Sequence, residues 1–211
     1  PRPQQLDAMP RARQKAIMVV LKRLCIYCGS KTGWGAGYTA LARGLGAQCA
    51  ARNVGIVFGG GHIGMMGELA AAALDAGGEV TGIIPKHLYR PEVAYEEISE
   101  LVVVDSMHER KRLMAERSDA FCVLPGGLGT LDETVEILTW KQLGLHDKPI
   151  VLLDHEGFWQ PFLTLMEHQE HHGFVNAAHR SLFEVAGDID AVFTAVANNP
   201  APRWPAVGDR L

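Results

Sequence analysis

The segment Pro125-Gly-Gly-Leu-Gly-Thr-Leu-Asp-Glu133 places three glycines, a hydroxyl and a carboxylate where an apolar run gives way to a helical one. Residues 120–124 ahead of it are continuously apolar, and residues 131–145 behind it carry apolar side chains at helical spacing. Glycine lets a ligand approach the backbone closely. The first N–H groups of a helix are unpaired and lie at the positive end of its dipole. Gly126, Gly127, Leu128, Gly129 and Thr130 are therefore a candidate anion cradle, best suited to phosphate. Glu133 is expected in the first turn of that helix, where it would repel a phosphate. It needs either a structural reason or a chemical one.

Two further clusters could act on a nucleotide. Gly59, Gly61 and Gly64 satisfy G-x-G-x-x-G, with Gly60 between the first two, after an apolar run at 54–58 and before an alanine-rich helix expected over 65–76. The motif follows the second expected strand rather than the first. The third, over 80–84, is broken by Pro85 and offers no acidic residue to hold an adenine ribose. Two glycine corners then favour a mononucleotide or sugar phosphate over a dinucleotide, although for any single glycine close packing of helix on strand is a serious alternative. The other cluster is His108-Glu-Arg-Lys-Arg112. Ser106 and Glu109 have capping-box spacing, and Arg112 reads as part of a solvated helix face. Arg110 and Lys111 are expected near the strand end that carries Pro125, where a guanidinium can grip a phosphate or a base through two parallel hydrogen bonds.

The elements that would position these residues alternate. Strands are expected over 24–27, 54–58, 80–84, 101–104, 120–124 and 149–153, and more weakly over 183–185. Helices are expected over 38–51, 65–76, 106–117, 131–145, 158–169 and 189–197. Continuously apolar strands alternating with helices predict a parallel sheet covered on both faces. The expected fold class is α/β, a single-domain doubly wound Rossmann-like sheet over 22–197, with tails at 1–21 and 198–211. Ligands of such sheets bind at the carboxyl ends of the strands, where the glycine corners collect.

Composition narrows the partners. With 211 residues, 47% of them hydrophobic, the chain can bury one sizeable core. A formal net charge of −4 gives no general attraction to nucleic acid or to an acidic membrane surface. No apolar run reaches the roughly 18 residues of a membrane span, and residues 1–13 lack the order of a signal peptide, so a cytoplasmic protein is expected. Cys25 and Cys28 form a C-x-x-C without a second pair at zinc-site spacing. Three apart in a strand they face opposite ways, so they read, with Cys49 and Cys122, as buried free thiols of a reducing compartment. His168, His171 and His172 read as a polar helix end rather than a metal site, and no metal is expected. Met65, Met66, Leu69, Trp140 and Leu143 are expected in the core or at a subunit interface.

Taken together, Tyr27-Cys-Gly-Ser30, Gly59-Gly-Gly-His-Ile-Gly-Met-Met-Gly67, Ile84-Pro-Lys86, Met107-His-Glu-Arg-Lys111 and Pro125 to Glu133 resemble the Lonely Guy family. These are the cytokinin riboside 5'-monophosphate phosphoribohydrolases, long labelled lysine decarboxylases. The resemblance covers about residues 22–196. It implies hydrolysis of the N-glycosidic bond of an N6-substituted adenosine monophosphate to free base and ribose 5-phosphate, without an organic cofactor, by a homodimer or larger assembly with its site close to a subunit interface. By position it makes Arg110 and Glu133 the catalytic pair, and Glu92, Arg110, Lys111, residues 126–130 and Thr139 the nucleotide contacts. His62, with Met65 and Met66 nearby, departs from the usual pattern and could alter base preference. The chemistry agrees, because a carboxylate beside the ribose can stabilise an oxocarbenium-like transition state and orient water. An AMP nucleosidase is the nearest rival, and a non-catalytic nucleotide carrier on the same sheet would not need Glu133. A decarboxylase would need pyridoxal phosphate on a lysine, and no lysine stands in a recognisable Schiff-base setting.

Overall fold

The computed structural model describes residues 21–199. The tails expected at 1–21 and 198–211 therefore lie, but for Leu21, Asn198 and Asn199, outside the described residues. Seven strands form one sheet: β1 (Arg23–Tyr27), β2 (Gly55–Phe58), β3 (Val80–Pro85), β4 (Glu100–Val104), β5 (Ala120–Val123), β6 (Ile150–Leu153) and β7 (Glu184–Ala186). Their order is β4-β3-β2-β1-β5-β6-β7, and every neighbouring pair is parallel. Parallel pairing needs crossovers. Helices α1 (Ala36–Ala51), α2 (Gly64–Asp75), α3 (Met107–Glu116), α4 (Leu128–Gln142) and α6 (Ile189–Asn198) follow β1, β2, β4, β5 and β7, and α5 (Gln160–His171) follows β6.

The pleat of β1 explains the two cores. Leu24 and Ile26 pack with α1, α2 and α6, whereas Cys25 and Tyr27 pack with α3, α4 and Trp159 at the entry to α5. Cys28 joins the first core and Cys25 the second, so the thiols diverge as their spacing predicts. All four cysteines are free and buried, and burial pushes their thiols up, that of Cys49 to about 12. On the first face α1 and α2 approach closely at Gly46, where a Cβ would stand 2.2 Å from the carbonyl oxygen of Leu69.

The order of strands reverses between β1 and β5: from β1 it runs outward through β2 to β4, and from β5 outward the other way through β6 to β7. The loops leaving β1 and β5 turn to opposite faces there and leave a crevice at the carboxyl edge, the ligand position of doubly wound sheets. Most boundaries fall within two residues of the sequence expectation, whereas both ends of α4 come three residues early. Strand β3 includes Pro85, in register with Val104. Helix α4 begins at Leu128, three residues early, because Gly127 is extended and Leu128-Gly129-Thr130 already wind into the first turn.

Candidate active site

The early start of α4 removes the conflict over Glu133. There is no acidic residue in the first turn of α4, since Glu133 is its sixth residue and lies one turn inside. The N-terminal cap, Gly127, has φ −100° and ψ −153°, and no side chain caps the helix. A Cβ on Gly127 or Gly129 would meet nothing within 4 Å, so the backbone there can be approached closely, and the first N–H groups of the helix have no side-chain cap. Gly126 differs from its neighbours. A Cβ there would lie 2.1 Å from the hydroxyl oxygen of Thr130, so this glycine is required for the loop to close on its own helix.

Glu133 is buried beneath this cradle and pairs with Arg110, Nη1 to Oε1 3.1 Å. Arg110 projects from α3 under the sheet edge. Its Nε donates to the carbonyl of Ile83 (3.0 Å) and its Nη2 to that of Gly59 (3.4 Å). The guanidinium thus joins the ends of β3 and β2 to the carboxylate on α4. A Cβ on Gly59 would lie 2.1 Å from Nη2, which gives that glycine its reason. Burial raises the carboxyl of Glu133 above the usual range, and the adjoining guanidinium opposes the shift. Ser106 caps α3 by accepting from the Glu109 N–H at 3.1 Å, while the Glu109 carboxylate reaches back to the Asp105 N–H at 3.0 Å, one residue short of a regular capping box. Arg112 pairs with Glu116 on the exposed face, as its spacing predicts.

The remaining expected site residues are placed less directly. Lys111 is engaged by two carboxylates of α4, Asp132 (3.1 Å) and Glu136 (3.0 Å). Burial lowers its affinity for a proton, but the two carboxylates outweigh burial and leave its pKa raised. Glu92 is exposed in the loop between β3 and β4. That loop is tied to the other glycine corner: His62 N donates to Val93 O (2.9 Å), Tyr95 N donates to Gly60 O (2.9 Å), and Gly61 bridges Ala94. Gly64, with φ +64°, has the Ser30 carbonyl against its Cα. The corner from Gly59 to Gly64 therefore has packing reasons at each glycine, and Glu92 is carried on the segment it secures. Thr139 stands apart. Its hydroxyl donates to Val135 O within α4, and it lines a groove with Val135, Phe162 and Leu165.

The crevice beside Gly126 and Gly127 has a volume of about 310 Å³ and is walled by Gly29–Gly33, Tyr38, Met65 and Phe158. Gly29 N donates to Pro125 O at 3.1 Å, which locks the β1 loop to the cradle loop. Tyr38 meets the Phe158 ring edge-on, with centroids 6.0 Å apart. Motif reasoning missed Lys31, Tyr38 and Phe158 as lining residues. The available signal was topological, since each follows β1 or β6 at the carboxyl edge. Among the described residues, no three His, Cys, Asp or Glu side chains are grouped to hold a metal ion, and no helix is long and apolar enough to cross a membrane. One buried lysine, Lys141, has its pKa lowered to about 8, chiefly by burial. It lies near Pro149 and Ile150 at the amino end of β6, away from the glycine cradle.

The chain matches the family model described as "Possible lysine decarboxylase" over residues 66–196, more than half its length. It is 46% identical over 176 residues to the cytokinin riboside 5'-monophosphate phosphoribohydrolase of Rhodococcoides fascians, covering 83% of this chain and 89% of that relative. To an enzyme of the same name from Arabidopsis thaliana it is 43% identical over 161 residues, 76% of each. Among solved structures, the molybdenum cofactor carrier protein of Chlamydomonas reinhardtii superposes with a TM-score of 0.62 at 24% identity, over 82% of this chain and 94% of that one. That likeness is one of fold. The extent of the match to the named relatives settles kinship: the chain belongs to the family of cytokinin riboside 5'-monophosphate phosphoribohydrolases.

Proposed function

We propose that the protein hydrolyses the N-glycosidic bond of N6-substituted adenosine 5'-monophosphates, releasing the free base and ribose 5-phosphate and so activating cytokinins. The observation that carries this reading is the spacing on α4. The uncapped first turn of α4, with Gly129 and Thr130, is followed one helical turn later, ~5.4 Å on, by a buried carboxylate held by Arg110. A 5'-phosphate seated on the N–H groups of that turn puts the ribose alongside Glu133. The bond from C1' to the base nitrogen then breaks with positive charge developing on the ring. The Glu133 carboxylate stabilises that charge and orients the water that adds hydroxide to C1', while the departing base takes up a proton. Phosphate binding remote from the broken bond holds the ribose in a reactive position.

Arg110 acts through Glu133. Three of its donors serve Glu133, Ile83 and Gly59, which suits it to orient the carboxylate rather than to grip the phosphate. A homodimer in the cytoplasm is the proposed form. Val135 and Leu165 are half exposed on the groove that holds Thr139, and a second copy covering this face is the route by which Thr139 would approach a nucleotide. The test is chromatography of products from N6-isopentenyl-AMP, AMP and other nucleoside monophosphates. Preferential release of the N6-substituted base supports the reading. Equal or better release of adenine from AMP makes the protein an AMP nucleosidase.

A further inference from the structure

Both cations that the motifs nominate for phosphate are otherwise engaged. Arg110 is committed to Glu133 and two carbonyls, and Lys111 to Asp132 and Glu136. A phosphate monoester carries ~1.5–2 negative charges near neutral pH, whereas a helix N-terminus offers about half a positive charge. The α4 cradle alone leaves most of the anion's charge uncompensated.

Of the residues lining the crevice beside Gly126 and Gly127, only Lys31 is charged. Its side chain is exposed and, among the described residues, has neither a carboxylate nor a hydrogen-bond partner. Its backbone, by contrast, is held from two sides. Gly29 N binds Pro125 O at 3.1 Å, and a Cβ on Gly64 would lie 2.3–2.5 Å from the Ser30 carbonyl and the Lys31 nitrogen. The two glycine corners therefore meet through this loop: one offers the anion cradle, and the other fixes the backbone that carries the Lys31 side chain. A lysine is suited to the role because it is a point charge on a flexible stem that can follow a dianion.

We propose that Lys31 is the phosphate-recognising cation of this site, the residue by which a nucleotide 5'-phosphate is preferred to the corresponding nucleoside. The proposal rests on the hydrolase reading for the identity of the whole substrate, but phosphate binding can be measured without turnover. Wild type, Lys31→Ala and Lys31→Arg are titrated with ribose 5-phosphate by calorimetry, with thermal unfolding as the check on folding. Base release is measured separately on N6-isopentenyl-AMP and its nucleoside. A charge-assisted contact predicts ribose 5-phosphate affinity about 10- to 100-fold weaker in Lys31→Ala and largely restored in Lys31→Arg. The preference for nucleotide over nucleoside should shrink by the same factor. Equal affinity in wild type and Lys31→Ala, or no binding by folded wild type, overturns the assignment. A wild type that binds ribose 5-phosphate through Lys31 yet releases no base sinks the hydrolase reading and leaves Lys31 as a phosphate contact.

Discussion

Arg110 and Glu133 form a buried pair whose members are not equivalent. Removing the arginine leaves a carboxylate in a dry site, a loss of ~3–5 kcal/mol for an uncompensated buried charge. Arg110→Ala should therefore unfold in markedly less urea than wild type at neutral pH. The deficit should narrow at lower pH, because Glu133 can then take a proton. Glu133→Gln leaves the buried guanidinium without a counter-charge, but the amide oxygen and the Ile83 and Gly59 carbonyls still accept from it. Its stability should fall by less than that of Arg110→Ala. The pH dependence has a definite sign. Burial holds the Glu133 proton to a higher pH in the native state than in the unfolded chain. Between those two pKa values the native state binds more protons, so the contribution of Glu133 to stability falls as pH rises. In the proposed mechanism the carboxylate is the active form, so kcat/KM should fall as pH drops through the raised value, with its acid limb above the usual carboxylate range. A limb at the usual range would count against burial as the dominant influence on Glu133, and one unchanged in Arg110→Ala would count against the pairing. Both residues were legible from motifs. Their contact was not, because it depends on α3 and α4 meeting beneath the ends of β2 and β3.

Helix α4 carries both the proposed phosphate cradle and, one turn on, the carboxylate proposed to act on the glycosidic bond. Helix glycines separate into kinds that sequence alone cannot tell apart, as Gly129 of α4 and Gly46 of α1 show. Gly129 has open space where a Cβ would go and no unusual φ, so Gly129→Ala should keep or raise stability, by ~0.5–1 kcal/mol for glycine to alanine in a helix. It should nevertheless raise KM for the nucleotide about tenfold or more, because the methyl occupies the approach of the phosphate. Gly46 is the opposite case. Alanine there drives into the Leu69 carbonyl, and overpacking should lower stability by ~1–3 kcal/mol without a selective effect on KM. Thermal unfolding together with KM for each variant separates the two. The start of α4 was misplaced from sequence because glycine is a poor helix former, and a helix entered through Leu128-Gly129-Thr130 runs against that propensity. The 3-10 turn over Ala177–Leu182 carried no periodic signal at all.

At the scale of the whole molecule, the reversal of strand order between β1 and β5 brings the two glycine corners, Arg110 and Lys31 to one edge of the sheet. The alternation of elements was legible because strands buried on both faces read as unbroken apolar runs. Strand order was not, since pairing joins segments as distant as β1 and β5, and it alone tells which loops face one another. Assembly is the other property of this scale. Leu165 is 52% exposed in the single chain, so Leu165→Glu costs a monomer little. In a dimer that covers the Thr139 groove, the same change should yield monomers by analytical ultracentrifugation and reduce base release, whereas an unchanged sedimentation coefficient would place the interface elsewhere. The central claim is that Glu133 breaks the glycosidic bond that the α4 cradle positions. Base release from N6-isopentenyl-AMP by wild type and Glu133→Gln, with ribose 5-phosphate affinity measured on both, tests it most directly. The account predicts a loss of turnover of about 100-fold or more with affinity retained; unchanged turnover in a variant that still binds ribose 5-phosphate would contradict it.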